Sequence, residues 1–91
     1  MEFDWDPEKT TSNRRKHEVT FQQAATVFGD LLATTSPDPD HSLREHRSVT
    51  IGVLAEGRLL VVAHAERKDS VRIISAQPAT RRERRFYKEA Q

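Results

Sequence analysis

The spacing of apolar residues along the chain predicts one sheet and three helices. Leu59 to Ala63 form an unbroken apolar run, which is typical of a central strand covered on both faces. Shorter apolar or alternating runs, bounded by turn residues, predict four further strands. The five predicted strands are Phe3–Trp5, Leu31–Thr35, Val49–Leu54, Arg58–Glu66 and Val71–Ala76.

A first helix is predicted directly after the first strand. Asp6 is a favoured N-cap, and Pro7 fits the first helical position, where no backbone N–H is needed. The helix extends to about His17 and offers almost no apolar face. It must therefore be held by its ends or by the apolar stems of its long charged side chains.

A second helix begins at Thr20, because Gln23 three residues later completes a capping box. Its apolar residues recur at helical spacing and form a narrow stripe that we expect to be buried. The stripe consists of Phe21, Ala24, Ala25 and Phe28. We expect Gly29 to end this helix as its C-terminal cap.

The remaining stretches are predicted from chain-breaking residues and from the final charged segment. Ser36–Ser42 carries two prolines and is expected to be a loop, and Gln77-Pro78 is expected to end the fifth strand. Ala79–Ala90 is then the last helix. The order β-α-α-β-β-β-β-α predicts an α+β fold in which helices pack on an antiparallel sheet, with the last three strands forming a meander.

Length and composition limit the classes of protein to which this chain can belong. Its 91 residues are enough for one domain, which we expect to span residues 1–91, and 35% apolar against 32% charged residues is a polar but not a disordered composition. The lack of cysteine excludes disulfides, thiolate metal sites and cysteine nucleophiles, and it fits the reducing cytoplasm. No stretch resembles a signal peptide or is long enough to span a membrane.

The net charge of +1 conceals an uneven distribution of charge along the chain. Acidic residues are concentrated in the first half, whereas the last helix is rich in cations. Its cations are Arg81, Arg82, Arg84, Arg85 and Lys88. We expect the cations of the final hairpin and of this helix to gather on one surface that binds phosphates. The alternative is a solvated helix whose charges only aid solubility.

Several segments, taken in order, resemble one known family. They are Phe3-Asp4-Trp5-Asp6, Asn13, Lys16-His17, Phe21, Ala24-Ala25, Thr50-Ile51-Gly52, Val71-Arg72-Ile73-Ile74-Ser75-Ala76, Ala79-Thr80-Arg81-Arg82-Glu83-Arg84 and Tyr87. Over nearly the whole chain, this ordered set resembles the BrnT family, the toxin half of bacterial type II toxin–antitoxin pairs. The resemblance implies a RelE-like fold, an endoribonuclease activity and growth arrest.

The resemblance also implies a partner. BrnT proteins pair with the BrnA antitoxin, which carries a ribbon-helix-helix DNA-binding segment, and the two form a heterotetramer that represses its own operon. DNA would therefore be contacted only through the antitoxin. A DNA-binding regulator is disfavoured, because the helix from Thr20 to Phe28 is nearly uncharged and would make a poor recognition helix.

The chain departs from the family pattern at three positions. The family usually has glycine where Glu18 stands, often arginine where Val53 stands, and usually arginine where Gln77 stands. The third departure matters most, because a cation between a sheet edge and a basic helix is well placed to hold a phosphate, and glutamine carries no charge. The alternative function is therefore a weakened or inactive toxin that acts as a binding module for RNA or antitoxin.

Cleavage of RNA without a metal requires a base for the 2′-hydroxyl proton, cations for the charge on the phosphate and an acid for the leaving oxygen. The predicted catalytic residues are His17, Glu66, Arg67 and Glu83, and the predicted RNA-binding residues are Lys16, Arg72, Gln77, Arg81, Arg82 and Tyr87. No metal or other cofactor is expected. His41 and His46 lie in or beside the proline-rich loop without further ligands, so a surface position is favoured for both.

The candidates on the strands also have a structural explanation. His64 and Glu66 share one face of a strand, whereas Arg67 points to the other face. A two-residue turn would put Arg72 on the face of Arg67, and a three-residue turn would put it opposite Glu66. The sequence leaves both open. In the structural explanation, these charges simply pair across strands.

The candidate residues on the helices can likewise be explained either by function or by structure. The helix dipole alone favours Lys16-His17 at a helix C-terminus, although either residue could reach RNA across the sheet, and His17 could exchange a proton near neutral pH. Phe86 is expected in the core. Glu83 either pairs with a neighbouring side chain or is catalytic, and Tyr87 either stacks on a base or covers the core.

Overall fold

Five strands form one sheet in the order β1-β5-β4-β3-β2. They are β1 (Glu2–Asp4), β2 (Thr34–Pro37), β3 (Arg47–Val53), β4 (Leu59–Glu66) and β5 (Ser70–Pro78). β1 runs parallel to β5, and all other neighbouring strands are antiparallel, so the predicted meander of the last three strands is confirmed. The structure is a computed structural model that describes residues 2–38 and 46–91.

Three α-helices and one 3₁₀ turn accompany the sheet. They are α1 (Pro7–His17), α2 (Phe21–Ala25), the 3₁₀ turn (Thr26–Gly29) and α3 (Arg81–Glu89). α1 and α2 pack against β5, and the 3₁₀ turn and α3 contact β3. The order of elements is the predicted one with the 3₁₀ turn added, which confirms the mixed α+β fold. Among the described residues, no helix is both long and apolar enough to cross a membrane.

The starts of α1 and α2 follow the side-chain caps that the sequence predicts. The Asp6 carboxylate accepts a hydrogen bond from the backbone N–H of Glu8 at 2.8 Å. Thr20 and Gln23 form the predicted capping box of α2. α1 ends at Glu18, whose φ of 59° is left-handed. This is the position at which the family usually has glycine, the residue that reaches this conformation without steric cost.

The second helix ends differently from its prediction. Its α-helical part stops at Ala25, and the tighter 3₁₀ turn carries the chain to Gly29. Gly29 does not serve as a left-handed C-terminal cap, because Glu18 and Gly57 are the only described residues with a positive φ. The prediction for Gly29 was therefore wrong, and no positive φ at that position explains its glycine.

The second strand begins three residues later than predicted. The Asp30 carboxylate accepts a hydrogen bond at 2.9 Å from the backbone N–H two residues further on, which holds a turn and delays β2 to Thr34–Pro37. The prediction of a loop from Ser36 was thus wrong for its first two residues, and its part from residue 39 onward lies outside the described residues. Pro37 is tolerated because β2 is an edge strand.

β5 also passes through the residues that were expected to break it. The strand extends to Pro78, which pairs with Leu60, so Gln77 lies inside the strand. Pro78 is tolerated because β1 covers the other edge of β5 only along Ser70–Arg72. As a consequence, the last helix starts two residues later than predicted, at Arg81.

The hydrophobic core lies between the sheet and the layer formed by α1, α2 and the 3₁₀ turn. It consists of Val19, Phe21, Ala24, Val27, Leu54, Leu60, Val62, Ile73 and Ala76. β4 is buried on both faces from Leu59 to Val62, as its unbroken apolar run predicted. The placement of Phe86 in the core was wrong: its side chain is 48% exposed, and Tyr87 is the residue of α3 that turns inward.

Gly52 allows the 3₁₀ turn to approach β3 closely. A Cβ atom at Gly52 would lie 2.8 Å from a methyl group of Val27 and 2.9 Å from the Cβ of Ala33. Carbon atoms at rest keep about 3.5–4.0 Å between them, so a side chain here would push the two elements apart. The glycine of the Thr50-Ile51-Gly52 segment therefore has a packing cause.

Asn13 joins α1 to two other parts of the fold. Its buried side chain accepts a hydrogen bond from the backbone N–H of Ala76 in β5 at 3.2 Å. The amide nitrogen donates to the backbone oxygen of Val19, just before α2, at 2.9 Å. A helix with almost no apolar face is thus held by a buried polar side chain.

Candidate functional site

The hairpin between β4 and β5 has the shorter of the two turns that the sequence left open. The N–H of Arg67 donates to the oxygen of Ser70 at 2.9 Å, and the N–H of Ser70 donates back at 3.4 Å, which encloses a two-residue turn. Arg72 pairs with Ala65 in the register. Because alternate residues share a face, Arg72 lies on the same face of the sheet as Arg67.

Arg72 forms an ion pair across the sheet. Its Nη1 atom lies 3.3 Å from Oδ1 of Asp4, which is its register partner on β1. The structural explanation of cross-strand pairing thus applies to Arg72, with a partner from β1. This contact uses one of the five N–H donors of the guanidinium group, so further donors remain for a phosphate.

His64 and Glu66 share a face of β4 and are close enough to interact. Nδ1 of His64 lies 3.3 Å from Oε1 of Glu66. The imidazole is 2% exposed, whereas the side chain of Glu66 is 40% exposed at the end of the strand. Burial lowers the pKa of His64, and the negative charge of Glu66 partly opposes that effect. The pair thus joins the protein interior to its surface.

A row of polar side chains continues from His64 across the sheet. Nε2 of His64 lies 2.7 Å from Oγ1 of Thr50, which in turn lies 2.7 Å from Oγ1 of Thr35 on the edge strand. Ser48 donates to Oε2 of Glu66 at 3.4 Å. These hydroxyl residues were not predicted as part of the site. Ser48 and Thr50 alternate with apolar residues along β3, and this period-two spacing of polar residues on an inward face was the signal available.

Lys16 and His17 line a groove between α1 and β5. The groove has a volume of about 200 Å³, and its wall includes Lys9 and Ser75. It is completed by Ser12, Asn13, Phe21 and Ile74. Lys9 and Lys16 are seven residues apart, or two helical turns, so both ammonium groups lie along the same face of α1. Lys9 was not predicted, although its spacing from Lys16 marks it.

α3 presents a second set of cations. Arg81, Arg84, Arg85 and Lys88 follow helical spacing along one side and, together with Glu89, line a depression of about 390 Å³. Within the part of the chain that the structure describes, no carboxylate lies at salt-bridge distance from these four cations. Arg82 points about 100° away from Arg81 around the helix axis. We call the four-cation side the basic face of α3.

Two predicted site residues on α3 are occupied by structural contacts. The Glu83 carboxylate accepts a hydrogen bond from the backbone N–H of Thr80 at 2.8 Å and completes a capping box. Tyr87 is buried, and its hydroxyl donates to Oδ2 of Asp30 at 2.6 Å. This hydrogen bond lowers the pKa of Asp30 and raises that of Tyr87. Tyr87 therefore lies inside the protein, away from the surface where a base could stack.

The candidate residues do not form one surface. The turn that carries Arg67 and the start of α3 lie at opposite ends of β5, whose nine residues span about 25–30 Å. The Asp30 carboxylate accepts from the N–H of Val53, at the end of β3, and from the hydroxyl of Tyr87. These two bonds hold α3 at the end of the sheet away from the hairpin between β4 and β5. The expectation that the cations of the hairpin and of the last helix gather together was therefore wrong.

The other predicted residues are placed as follows. Gln77 is exposed and pairs with Val61, so it shares a face of the sheet with Arg72 but lies near the α3 end of β5. His46 is exposed, as predicted, and His41 lies outside the described residues. In residues 2–38 and 46–91, no three His, Asp or Glu side chains cluster as metal ligands would.

The fold and the site together define a small mixed α+β domain with a cationic groove between a helix and a sheet, an arrangement suited to a polyanionic ligand. The chain belongs to the family described as ribonuclease toxin, BrnT, of type II toxin–antitoxin systems, whose model matches residues 5–83. This match confirms the resemblance drawn from the sequence.

A solved structure has the same fold. The crystal structure of the Brucella abortus ribonuclease toxin BrnT matches this chain with a TM-score of 0.70 and 21% sequence identity, over 89% of this chain and 99% of that chain. No curated protein matches the chain in sequence. The structural likeness concerns the fold, and the family assignment rests on the family model.

Proposed function

We propose that this protein is an endoribonuclease toxin that cleaves RNA by metal-independent attack of the 2′-hydroxyl and so arrests growth. It would act in the cytoplasm as a single domain spanning residues 1–91. Membership of a ribonuclease toxin family supports the class of reaction. The structural observation that carries the proposal is the groove in which Lys16 and His17 lie beside Lys9 and Ser75.

The groove would bind the RNA backbone. The ammonium groups of Lys9 and Lys16 would neutralise neighbouring phosphates, and the hydroxyl of Ser75 would donate a hydrogen bond. His17 adds an imidazole, whose ring nitrogens can donate or accept a hydrogen bond to the RNA. These groups hold the backbone in place and carry no information on base sequence.

The proton acceptor would be Glu66, at the open end of β4. Arg67 and Arg72 lie at the same end of the sheet but on its opposite face, and their long side chains would reach around the strand ends to stabilise the charge that develops on the phosphate. Val71, the register partner of Glu66, is four residues from Ser75, which corresponds to about 13 Å along β5. RNA that leaves the groove along β5 would therefore reach the end of β4.

The basic face of α3 would hold phosphates farther along the RNA. Arg81 belongs to this face, and Arg82 would contribute a further positive charge from the adjacent side of α3. Glu83 and Tyr87 were predicted to act in catalysis and RNA binding. Because the carboxylate and the hydroxyl are both engaged within the fold, we assign these two residues to the capping and docking of α3.

Cleavage of RNA by the purified protein, with a metal chelator present, tests this proposal. We expect Lys16→Gln and His17→Asn each to lower kcat/KM at least tenfold, because each removes a group from the groove. Lys88→Gln removes the same charge from α3 and should lower kcat/KM less than threefold. Lack of cleavage by the unaltered protein, or equal losses in all three variants, would contradict the proposal.

The partner that we propose is a BrnA-type ribbon-helix-helix antitoxin, which would form a heterotetramer with the toxin. The type II toxin–antitoxin family supports the existence of an antitoxin. DNA would be bound only through that partner. Co-expression followed by light scattering should give a complex with two copies of each chain, and expression of the toxin alone should arrest growth. A stable 1:1 complex would contradict the stoichiometry.

A non-catalytic binding module is the second candidate, and Gln77 is the observation that favours it. Gln77 is exposed on β5, where the resemblance implies arginine, so the phosphate contact of that arginine is lost. Growth arrest that appears only with Gln77→Arg would identify a weakened toxin. If neither form cleaves RNA or arrests growth, the binding module is the better description.

A further inference from the structure

His64 is a buried residue whose two ring nitrogens face different environments. Nε2 lies 2.7 Å from the hydroxyl oxygen of Thr50, inside the fold. Nδ1 has no hydrogen bond of good geometry, yet it lies 3.3 Å from Oε1 of Glu66, at the surface. A buried polar atom without a partner is costly, so the position of this nitrogen behind an exposed carboxylate needs an explanation.

The hydroxyl groups are compatible with a proton on Nδ1 of His64, and the charge of Glu66 favours it there. Thr35 can donate to Thr50, because their oxygen atoms are 2.7 Å apart, and the proton of Thr50 then points to Nε2 of His64. That arrangement leaves the imidazole proton on Nδ1, where it faces the carboxylate. The other tautomer would place the lone pair of Nδ1 against a negatively charged oxygen.

The surroundings of the ring favour its neutral form. Phe28 packs edge-on against the imidazole, with 4.9 Å between ring centroids, and Ser48 and Ile73 are its partners in the sheet. None of these neighbours is titratable. In the described part of the chain, Glu66 is the charged group that faces the ring. A neutral imidazole with a proton on Nδ1 can therefore serve as a fixed donor.

We propose that His64 is the positioning residue for Glu66: its Nδ1–H holds one oxygen of the carboxylate, so that the other lone pairs face the substrate at the end of β4. The inference rests on the proposed function, in which Glu66 takes the proton of the 2′-hydroxyl. Ser48, near the second oxygen, limits rotation of the carboxylate further. His64 itself does not touch the RNA.

Two substitutions separate the two nitrogens. The side-chain amide of His64→Asn takes the place of Nδ1 and can still donate to Glu66, whereas the amide of His64→Gln reaches the place of Nε2. We expect Gln to lower kcat by 10- to 100-fold with KM within twofold, and Asn to recover most of that loss.

Nitrogen-15 NMR of the unaltered protein tests the positioning without any assay of activity and without a variant that must fold. We expect the neutral His64 ring to carry its proton on Nδ1. A proton on Nε2, or equal kcat values for folded His64→Asn and His64→Gln, would overturn the inference. Glu66→Gln tests the underlying function separately: full activity there would remove Glu66 from the reaction, whatever the tautomer of His64.

Discussion

Glu18 holds a backbone conformation that suits glycine. Its φ of 59° lies in the left-handed region, where contact between Cβ and the carbonyl oxygen costs about 1–2 kcal/mol for residues other than glycine. Two hydrogen bonds keep it there: its N–H donates to the oxygen of Arg14 at 2.9 Å, and its own oxygen accepts from Arg58 at 3.2 Å. The residue therefore stores strain at the junction between α1 and α2.

We expect Glu18→Gly to raise the free energy of unfolding by about 1 kcal/mol, because glycine reaches this conformation without steric cost. Urea denaturation, followed by the fluorescence of Trp5, measures the change. Glu18→Ala is the matched control, since it removes the carboxylate but keeps the Cβ atom. Equal gains in both variants would attribute the effect to charge instead of backbone strain.

At Gly52, glycine is required because there is no space for a side chain, and not because of the backbone conformation. We expect Gly52→Ala to lower the free energy of unfolding by about 1–3 kcal/mol, since its methyl group would collide with Val27 and Ala33. Gly29→Ala is the control, because no atom lies within 4 Å of a Cβ built there. The same denaturation measurement applies. An unchanged free energy of unfolding in Gly52→Ala would show that the 3₁₀ turn can move away from β3.

Local contacts are the part of the residue-level structure that the sequence could predict. The Asp6 cap and the capping box of Thr20 and Gln23 depend on neighbours within three residues. The contacts of Tyr87 could not be predicted, because its partner Asp30 is 57 residues away in the chain. Sequence spacing alone favoured Phe86 as the residue that faces the body of the protein, whereas Tyr87 takes that position.

At the scale of elements, α3 depends on a small number of attachments. Its capping box holds its first turn, and the hydrogen bond between Tyr87 and Asp30 holds its second turn beside β3. Asp30 directly follows the 3₁₀ turn, and its carboxylate also accepts from the N–H of Val53 in β3 and from the N–H of Leu32 in the turn before β2. A single half-buried carboxylate thus links the 3₁₀ turn, β3 and α3.

We expect Tyr87→Phe to loosen α3, because the ring would remain but the bond to Asp30 would be lost. A hydrogen bond to a charged group is worth about 1.5–3 kcal/mol. Amide hydrogen exchange should accelerate along Arg81–Glu89 and remain slow in β4. Phe86→Leu is the control, since the Phe86 side chain is half exposed. Unaltered exchange in α3 would mean that its packing, not this bond, holds the helix.

The boundaries of the elements show where sequence patterns stop being informative. β4 was predicted well because its apolar run is long and unbroken. β2 and β5 were not, since Pro37 and Pro78 are tolerated only at positions whose outer edge is unpaired. Strand order decides which edges are unpaired, and strand order depends on contacts between distant parts of the chain.

For the whole molecule, two groups make stability depend on pH in different ranges. The pKa of His64 is lowered from its ordinary value of 6.5, mainly by burial, so the unfolded chain binds this proton more readily than the folded protein. Stability is then complete above pH 6.5 and decreases as the pH falls below it. The pKa of Asp30 is lowered from 3.8, chiefly by Tyr87, so its contribution is lost only below that pH.

We therefore expect two separate losses of stability on acidification, one below about pH 6.5 and a second below about pH 3.8. Urea denaturation at roughly pH 7.5, 5.5 and 3, which lie above, between and below the two values, would resolve them. His64→Asn should remove the first loss and keep the second. A stability that stays constant between pH 7.5 and 5.5 would contradict the role given to His64.

The distribution of charge over the whole molecule was the feature least accessible from the sequence. Arg67 and Arg81 are only fourteen positions apart in the chain, and the prediction treated them as neighbours in space. The nine-residue β5 separates them by most of the 30 Å length of the protein. The groove beside α1 was predicted only as a pair, Lys16 and His17, and its wall is formed partly by distant β5.

The buried amide of Asn13 affects whether copies of the protein associate with one another. It occupies a backbone N–H of β5 beyond the end of β1, and a strand border whose backbone groups lack partners is a template to which a second chain can add. We expect Asn13→Leu, which fills similar space without bonding Ala76, to form oligomers at high concentration in sedimentation experiments. If it sediments as the unaltered protein does, α1 shields that border by bulk alone.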